Sequence, residues 1–285
     1  GGTTPLAYSV SPALPTGLTM ASASGAITGT PTVASAVTTY TVTVTDANSA
    51  TATATFSLTV NSAVTATQAV ASKVLTQNTA ATSFTPVTGS GGTTPLAYSV
   101  SPALPTGLTM ASSTGAVTGT PTATSAATTY TVTVTDANSA TATATFSLTV
   151  NSVVVATQSV SSATLTRNTA TTSFTPVTGS GGTAPLAYTV SPALPTGLTM
   201  ASSTGAITGT PTVASAATTY TVTVTDANSA TATNTFSLTV NGPLTATQAI
   251  ASKALAVNTA ATSFTPVTGS GGTAPLAYSV SPALP

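Results

Sequence analysis

TYTVTVTDANSATATATFSLTV, from Thr129 to Val150, is the stretch that decides the fold. In its first arm Tyr130, Val132 and Val134 alternate with Thr131, Thr133 and Thr135. In its second arm Ala142, Ala144, Phe146, Leu148 and Val150 alternate with five hydroxyl residues. Side chains of a strand point to opposite faces in turn, so each arm has one apolar face and one hydroxyl face. Between the arms lies Asp136-Ala137-Asn138-Ser139, a hairpin turn in which Asx side chains cap the backbone. Two half-buried strands joined in this way need a second layer to cover the apolar face.

Working outward, the remaining residues supply that layer as short strands and turns. Thr65 to Thr76 reads as the opening strand, broken near Ser72–Lys73. Thr82 to Thr88 reads as a second strand with Pro86 at an edge or bulge. Gly89-Ser90-Gly91-Gly92 reads as a turn, and Leu96, Tyr98 and Val100 then share one face. Pro105 and Gly107 punctuate the next turn, Ser113-Thr114-Gly115 the one after it, and a short AVTGTP segment follows. No helical spacing of apolar residues occurs. About seven short strands in about 90–100 residues is the pattern of a β-sandwich.

The same text recurs in register. GGTTPLAYSVSPALPTGLTM begins at Gly1 and again at Gly91. It returns as GGTAPLAYTVSPALPTGLTM at Gly181, and its opening appears once more at Gly271. The period is 90 residues without insertion or deletion, and the 285 residues are three periods plus a 15-residue overlap. The expected fold class is all-β: tandem immunoglobulin-like Greek-key β-sandwich domains, one per 90-residue repeat. The expected boundaries are 1–61 for a repeat lacking its first strands, 62–151 and 152–241 for complete repeats, and 242–285 for first strands only. This division fits either strand donation between copies or a window cut from a longer array. The window explains the 15-residue duplication better.

The run PLAYSVSPALPTGLTMASSTGAVTGTPTATSAATTYTVTVTDANSATATATFSLTV resembles the putative-Ig, cadherin-like tandem repeats of large bacterial surface or extracellular matrix proteins. The marks that carry the resemblance are LPTGLTM, TGAVTGTP and the YTVTVTD…TFSLTV strand pair, and the resemblance covers every repeat. The resemblance implies a Greek-key sandwich, a secreted or surface-anchored parent chain, and a spacer, adhesive or matrix role. It implies no catalytic residue.

Composition narrows the function classes. Charged residues are 2% of the chain: Lys73, Arg167 and Lys253 with Asp46, Asp136 and Asp226. There is no His, Cys, Trp or Glu, and about two residues in five are Ser or Thr. A net charge of zero leaves no basic footprint for nucleic acid and no polybasic patch for a membrane surface. No apolar run approaches the roughly 18 residues of a transmembrane helix, so membrane insertion is not expected. Without cysteine, each repeat has to be held by its core. No side chain has an ordinary pKa between about 5 and 9, so stability should be level over that range.

Candidate sites are few. A Ser or Thr nucleophile needs an activating base, and histidine is absent. The three Asp residues stand one repeat apart and form no carboxylate pair. They are also the only candidate metal ligands. Calcium takes six to eight oxygens, usually from several carboxylates, so a turn cap is the favoured reading of Asp46, Asp136 and Asp226. No catalytic, cofactor-binding or metal residue is therefore assigned.

A Lys–Asn isopeptide bond is not expected: Lys73 and Lys253 share one register, but Ala163 occupies it in the intervening repeat, and no acidic neighbour of the usual Glu type exists. Tyr98, Tyr130, Phe84 and Phe146 could face a sugar, yet the absence of Trp and the inward register of Tyr130 and Phe146 favour core packing. Outward Thr-x-Thr rows about 6.6 Å apart also resemble an ice-binding array, and they are equally what a solvated strand looks like without charge. The expected function is that of a non-enzymatic extracellular structural repeat, self-associating in a filament, fibre or matrix. The alternatives are a monomeric adhesin stalk, or an ice- or glycan-binding module for which a surface glycan is a further candidate partner.

Overall fold

A computed structural model describes residues 2–284. Every regular element in it is a β-strand. Numbered within the repeat 62–151, the strands are β1 (Thr65–Gln68), β2 (Ser72–Thr76), β3 (Val87–Ser90), β4 (Ala97–Ser101), β5 (Leu108–Met110), β6 (Val117–Gly119), β7 (Ser125–Thr135) and β8 (Thr141–Asn151). One layer is a four-stranded sheet in the order β2-β8-β7-β4. The other consists of the pairs β1-β3 and β5-β6, linked by a bridge between Phe84 and Val117. The repeat is an open, immunoglobulin-like sandwich, as the strand count predicts.

Alternation puts the apolar residues of both layers in contact. The β7-β8 hairpin opposes Tyr130 to Phe146, Val132 to Ala144 and Val134 to Ala142. Val132, Val134 and Leu148 are fully buried from one layer, and Val87 and Val117 from the other. Strand β2 joins the edge of the sheet parallel to β8, pairing Leu75 with Val150, which brings Leu75 into the same core. The next repeat reproduces the sheet with Ser162–Thr166, Ala187–Ser191, Ser215–Thr225 and Thr231–Asn241. It has its own core around Val222, Val224, Phe236 and Leu238.

The first unit has Ala7–Ser11, Ser35–Thr45 and Thr51–Val60 in a three-stranded sheet. Leu18, Ile27, Phe56 and Leu58 there line an open cleft next to Asn61 and Asp136. In the last segment Thr245–Gln248 pairs with Val267–Ser270.

Three strand boundaries differ from those expected. The opening strand breaks over Ala69–Ala71, ahead of Ser72–Lys73. The Thr82–Thr88 strand begins only at Val87, with Phe84 alone bridged before it. One cause serves both. Pro86 has no N–H to give the ladder, and its carbonyl accepts from two successive amides, Ala69 at 2.8 Å and Val70 at 3.1 Å. Pairing therefore stops on both strands at one level. The third difference is that Gly89 and Ser90 belong to β3 and not to the turn. The Gly89 N–H donates to the Tyr98 hydroxyl at 3.0 Å. A Cβ there would lie 2.6 Å from Val134 Cγ1, so the missing side chain is what admits Val134 to the core.

Candidate functional site

The residue types that carry chemistry are few enough to follow one by one. Asp136 lies in the β7-β8 turn with its carboxylate directed at backbone amides. Oδ1 accepts from Asn138 N at 2.9 Å and Ala140 N at 2.8 Å, and Oδ2 accepts from Thr93 N at 2.8 Å. Asp46 and Asp226 repeat the arrangement with Thr3 and Thr183. Each carboxylate thus closes its hairpin and ties it to the loop that enters β4 or its equivalent. No group of three or more His, Cys, Asp or Glu side chains gathers among the described residues.

These donors hold all three carboxyls below their ordinary value of 3.8. For Asp46 the amide of Thr3 contributes most, and for Asp136 that of Thr93. For Asp226 burial is the largest effect and acts upward, but the Thr76 hydroxyl and the amides of Thr183, Ala230 and Asn228 together outweigh it. A carboxyl whose pKa is lowered by folding stabilises the fold above its unfolded value and loses that contribution as pH falls through the folded one. Urea midpoints should therefore stay level from about pH 5 to 9 and drop once the pH passes below 3.8. A midpoint still undiminished at about pH 2, where the loss that begins at the unfolded value is well under way, would contradict this role.

Lys73 pairs in register with the buried Leu148, and its Nζ sits 5.5 Å from the centre of the Phe84 ring. Lys253 Nζ lies 5.6 Å from the centre of the Phe264 ring. Tyr130 and Phe146 are 3% and 1% exposed and stacked on each other, which puts them inside the sandwich. Tyr98 and Phe84 pack against the same core. None of the four forms an exposed platform.

What the sheet does present outward is hydroxyl. Thr131 lies between Ser101 and Thr145, Thr133 between Ser99 and Thr143, and Thr135 opposite Thr141. Residues directly opposite share a face about 5 Å apart, with about 6.6 Å between levels. The result is a grid. The repeat around Thr221, Thr223 and Thr225 builds it again, as does the first unit around Thr41, Thr43 and Thr45. Lys73 points to the other face and Asp136 sits in the end turn, so the grid is free of charge.

Fold and repetition define a tandem immunoglobulin-like protein. The family model described as "Putative Ig domain" matches residues 1–61, 62–151 and 153–241, and the chain belongs to that family. No curated protein matches the sequence. Among solved structures, the I67–I69 I-band fragment of titin is 12% identical with a TM-score of 0.42, covering 84% of this chain and 89% of the fragment. Immunoglobulin domains 1–4 of Sidekick-1 are 13% identical with a TM-score of 0.38, covering 82% and 67%. Extracellular cadherin domains 1–4 of protocadherin gamma B7 are 12% identical with a TM-score of 0.32, covering 88% and 71%. Among the described residues no helix is long and apolar enough to cross a membrane.

Proposed function

We propose that the chain is a non-enzymatic extracellular structural array whose copies associate side by side into a fibre or matrix. The observation that carries this reading is the charge-free hydroxyl grid, repeated in every unit on the outer face of the sheet. Soluble surfaces are ordinarily about 25–35% charged, which keeps copies apart. Here two such faces can approach with neither like-charge repulsion nor a charge to strip of water. A hydroxyl both donates and accepts, so identical faces are complementary in hydrogen bonding.

Light scattering over a rising concentration series tests the reading. Association that persists in high salt is expected, and Thr133→Glu with Thr143→Glu, which puts two like charges directly opposite each other, should weaken it at least tenfold. A chain that remains monomeric at millimolar concentration would instead be a stalk, and the proposal would be lost.

A further inference from the structure

The end of one repeat meets the turn of the next in a closed set of hydrogen bonds. Thr76 is the last residue of β2 and is 1% exposed, the most deeply buried of the polar side chains. Its hydroxyl donates to Asp226 Oδ2 in the following repeat, 150 positions away. Its oxygen lies 2.9 Å from the hydroxyl of Thr183 and accepts from Asn228 Nδ2 at 3.1 Å. Asn228 Nδ2 also reaches Thr183 Oγ1 at 2.9 Å and the Val74 carbonyl at 3.2 Å, and Asn151 Nδ2 reaches Thr183 Oγ1 at 3.2 Å.

Proton counting gives the set one direction. Both Asn amides can only donate from nitrogen, with two protons each, so the three contacts of Asn228 Nδ2 share two protons, and an ionised carboxylate can only accept. The Thr76 proton is committed to Asp226, so Thr183 gives its own proton to Thr76. The chain of donors starts at the two amides and ends on the single acidic side chain of the repeat. That carboxylate is already held by three amides of its own repeat, so its position is fixed before the Thr76 hydroxyl arrives. Among the described residues no other charged side chain enters the set.

Parts of the same set appear at the flanking junctions. Thr166 and Thr273 stand 3.0 Å apart, one period on from Thr76 and Thr183. At the preceding junction Asn61 and Asn138 both donate to Thr93, at 3.0 and 2.9 Å.

We propose that the turn end of each repeat, built here from Thr183, Asp226 and Asn228, is a docking surface for the strand end of the preceding repeat, here Val74, Thr76 and Asn151, and that this contact fixes the angle between successive repeats without a cation. The array is then a stiff rod by virtue of neutral side chains and one buried carboxylate per joint. The inference concerns a single chain and stands whether or not copies associate.

The chain has no cysteine, so Ser99→Cys with Thr189→Cys places spin labels only on exposed, equivalent strand positions of adjacent repeats. Pulsed electron–electron distance measurement on the dilute full chain should give one narrow distribution, unchanged by calcium or by a chelator. Thr76→Val keeps shape and backbone pairing but removes the hydroxyl, and it should broaden the distribution at least twofold with the strand content unaltered. Asn228→Ala, made from the other side of the joint in a turn whose backbone cap remains, should broaden it as well and covers the case in which valine disturbs β2. A broad parent distribution, narrowing only with calcium, or variants as narrow as the parent would overturn the proposal.

Discussion

Phe146→Ala is expected to destabilise its own repeat by about 3–5 kcal/mol, the range for deleting a buried aromatic side chain. Phe146 is 1% exposed and touches both layers of the sandwich. It stacks on Tyr130 across the β7-β8 pair, with ring centres 5.5 Å apart, and meets Phe84 edge-on at 6.3 Å. Stacked and edge-on pairs each add about 0.5–1.5 kcal/mol beyond the area they bury. Alanine therefore removes two aromatic contacts as well as volume, and the strands around it cannot close the gap without giving up their ladder.

A domain of about 90 residues has about 5–13 kcal/mol in total, so this one change consumes much of it. At about 4–8 °C per kcal/mol for a domain of this size, the thermal transition of the repeat should fall by more than 10 °C. Because each repeat has a separate core, the transition of the Phe236 repeat should stay in place, which calorimetry resolves as a split. A loss below about 1 kcal/mol would mean that the aromatic stack does not hold the layers together.

Most of this core is legible in the sequence because period-two alternation leaves little choice of face. Tyr130, Val132, Val134, Phe146, Leu148 and Val150 are apolar at every second position, and all six are buried. The turn role of Asp136 was legible for a similar reason. An Asx residue followed by Ala-Asn-Ser between two strands leaves short-range backbone amides as its nearest donors. Its third donor, Thr93, lies in a different loop, and nothing local points to it.

The docking set at Thr76 was not legible at all. Thr76 is one hydroxyl residue among about two in five, and its partners lie 107 and 150 positions away. No periodicity marks it out from the threonines that face solvent. Pro86 shows the complementary limit. The sequence says that it will interrupt a strand, but not that its carbonyl will collect two amides and interrupt the neighbouring strand too.

Gly107→Ala is expected to open the β5-β6 ribbon and unfold the repeat's second layer. Gly107 has φ +94° and Gly119 has φ +119°, both in the region that side-chain-bearing residues rarely adopt. Such backbone conformations alone cost about 1–3 kcal/mol for a residue other than glycine. Space is the larger obstacle. A Cβ on Gly107 would lie 2.0 Å from the carbonyl oxygen of Thr120, and one on Gly119 would lie 2.1 Å from the carbonyl oxygen of Gly107. Both obstructing atoms are backbone, so no rotamer change relieves the clash.

The ribbon could part only by breaking the Thr120 N–H bond to the Gly107 carbonyl, at 2.9 Å, and by shifting Leu108 and Val117. Those two side chains are 7% and 0% exposed and fasten this layer to the core. Strain and lost packing therefore add, and the total should exceed about 3 kcal/mol, the top of the range for backbone strain alone. Gly242→Ala is the internal comparison, since a Cβ there meets nothing within 4 Å. It should stay within about 0.5 kcal/mol of the parent, as open surface positions do. Equal losses for the two variants would show that the tight crossing at Gly107 and Gly119 is not what holds the β5-β6 ribbon together.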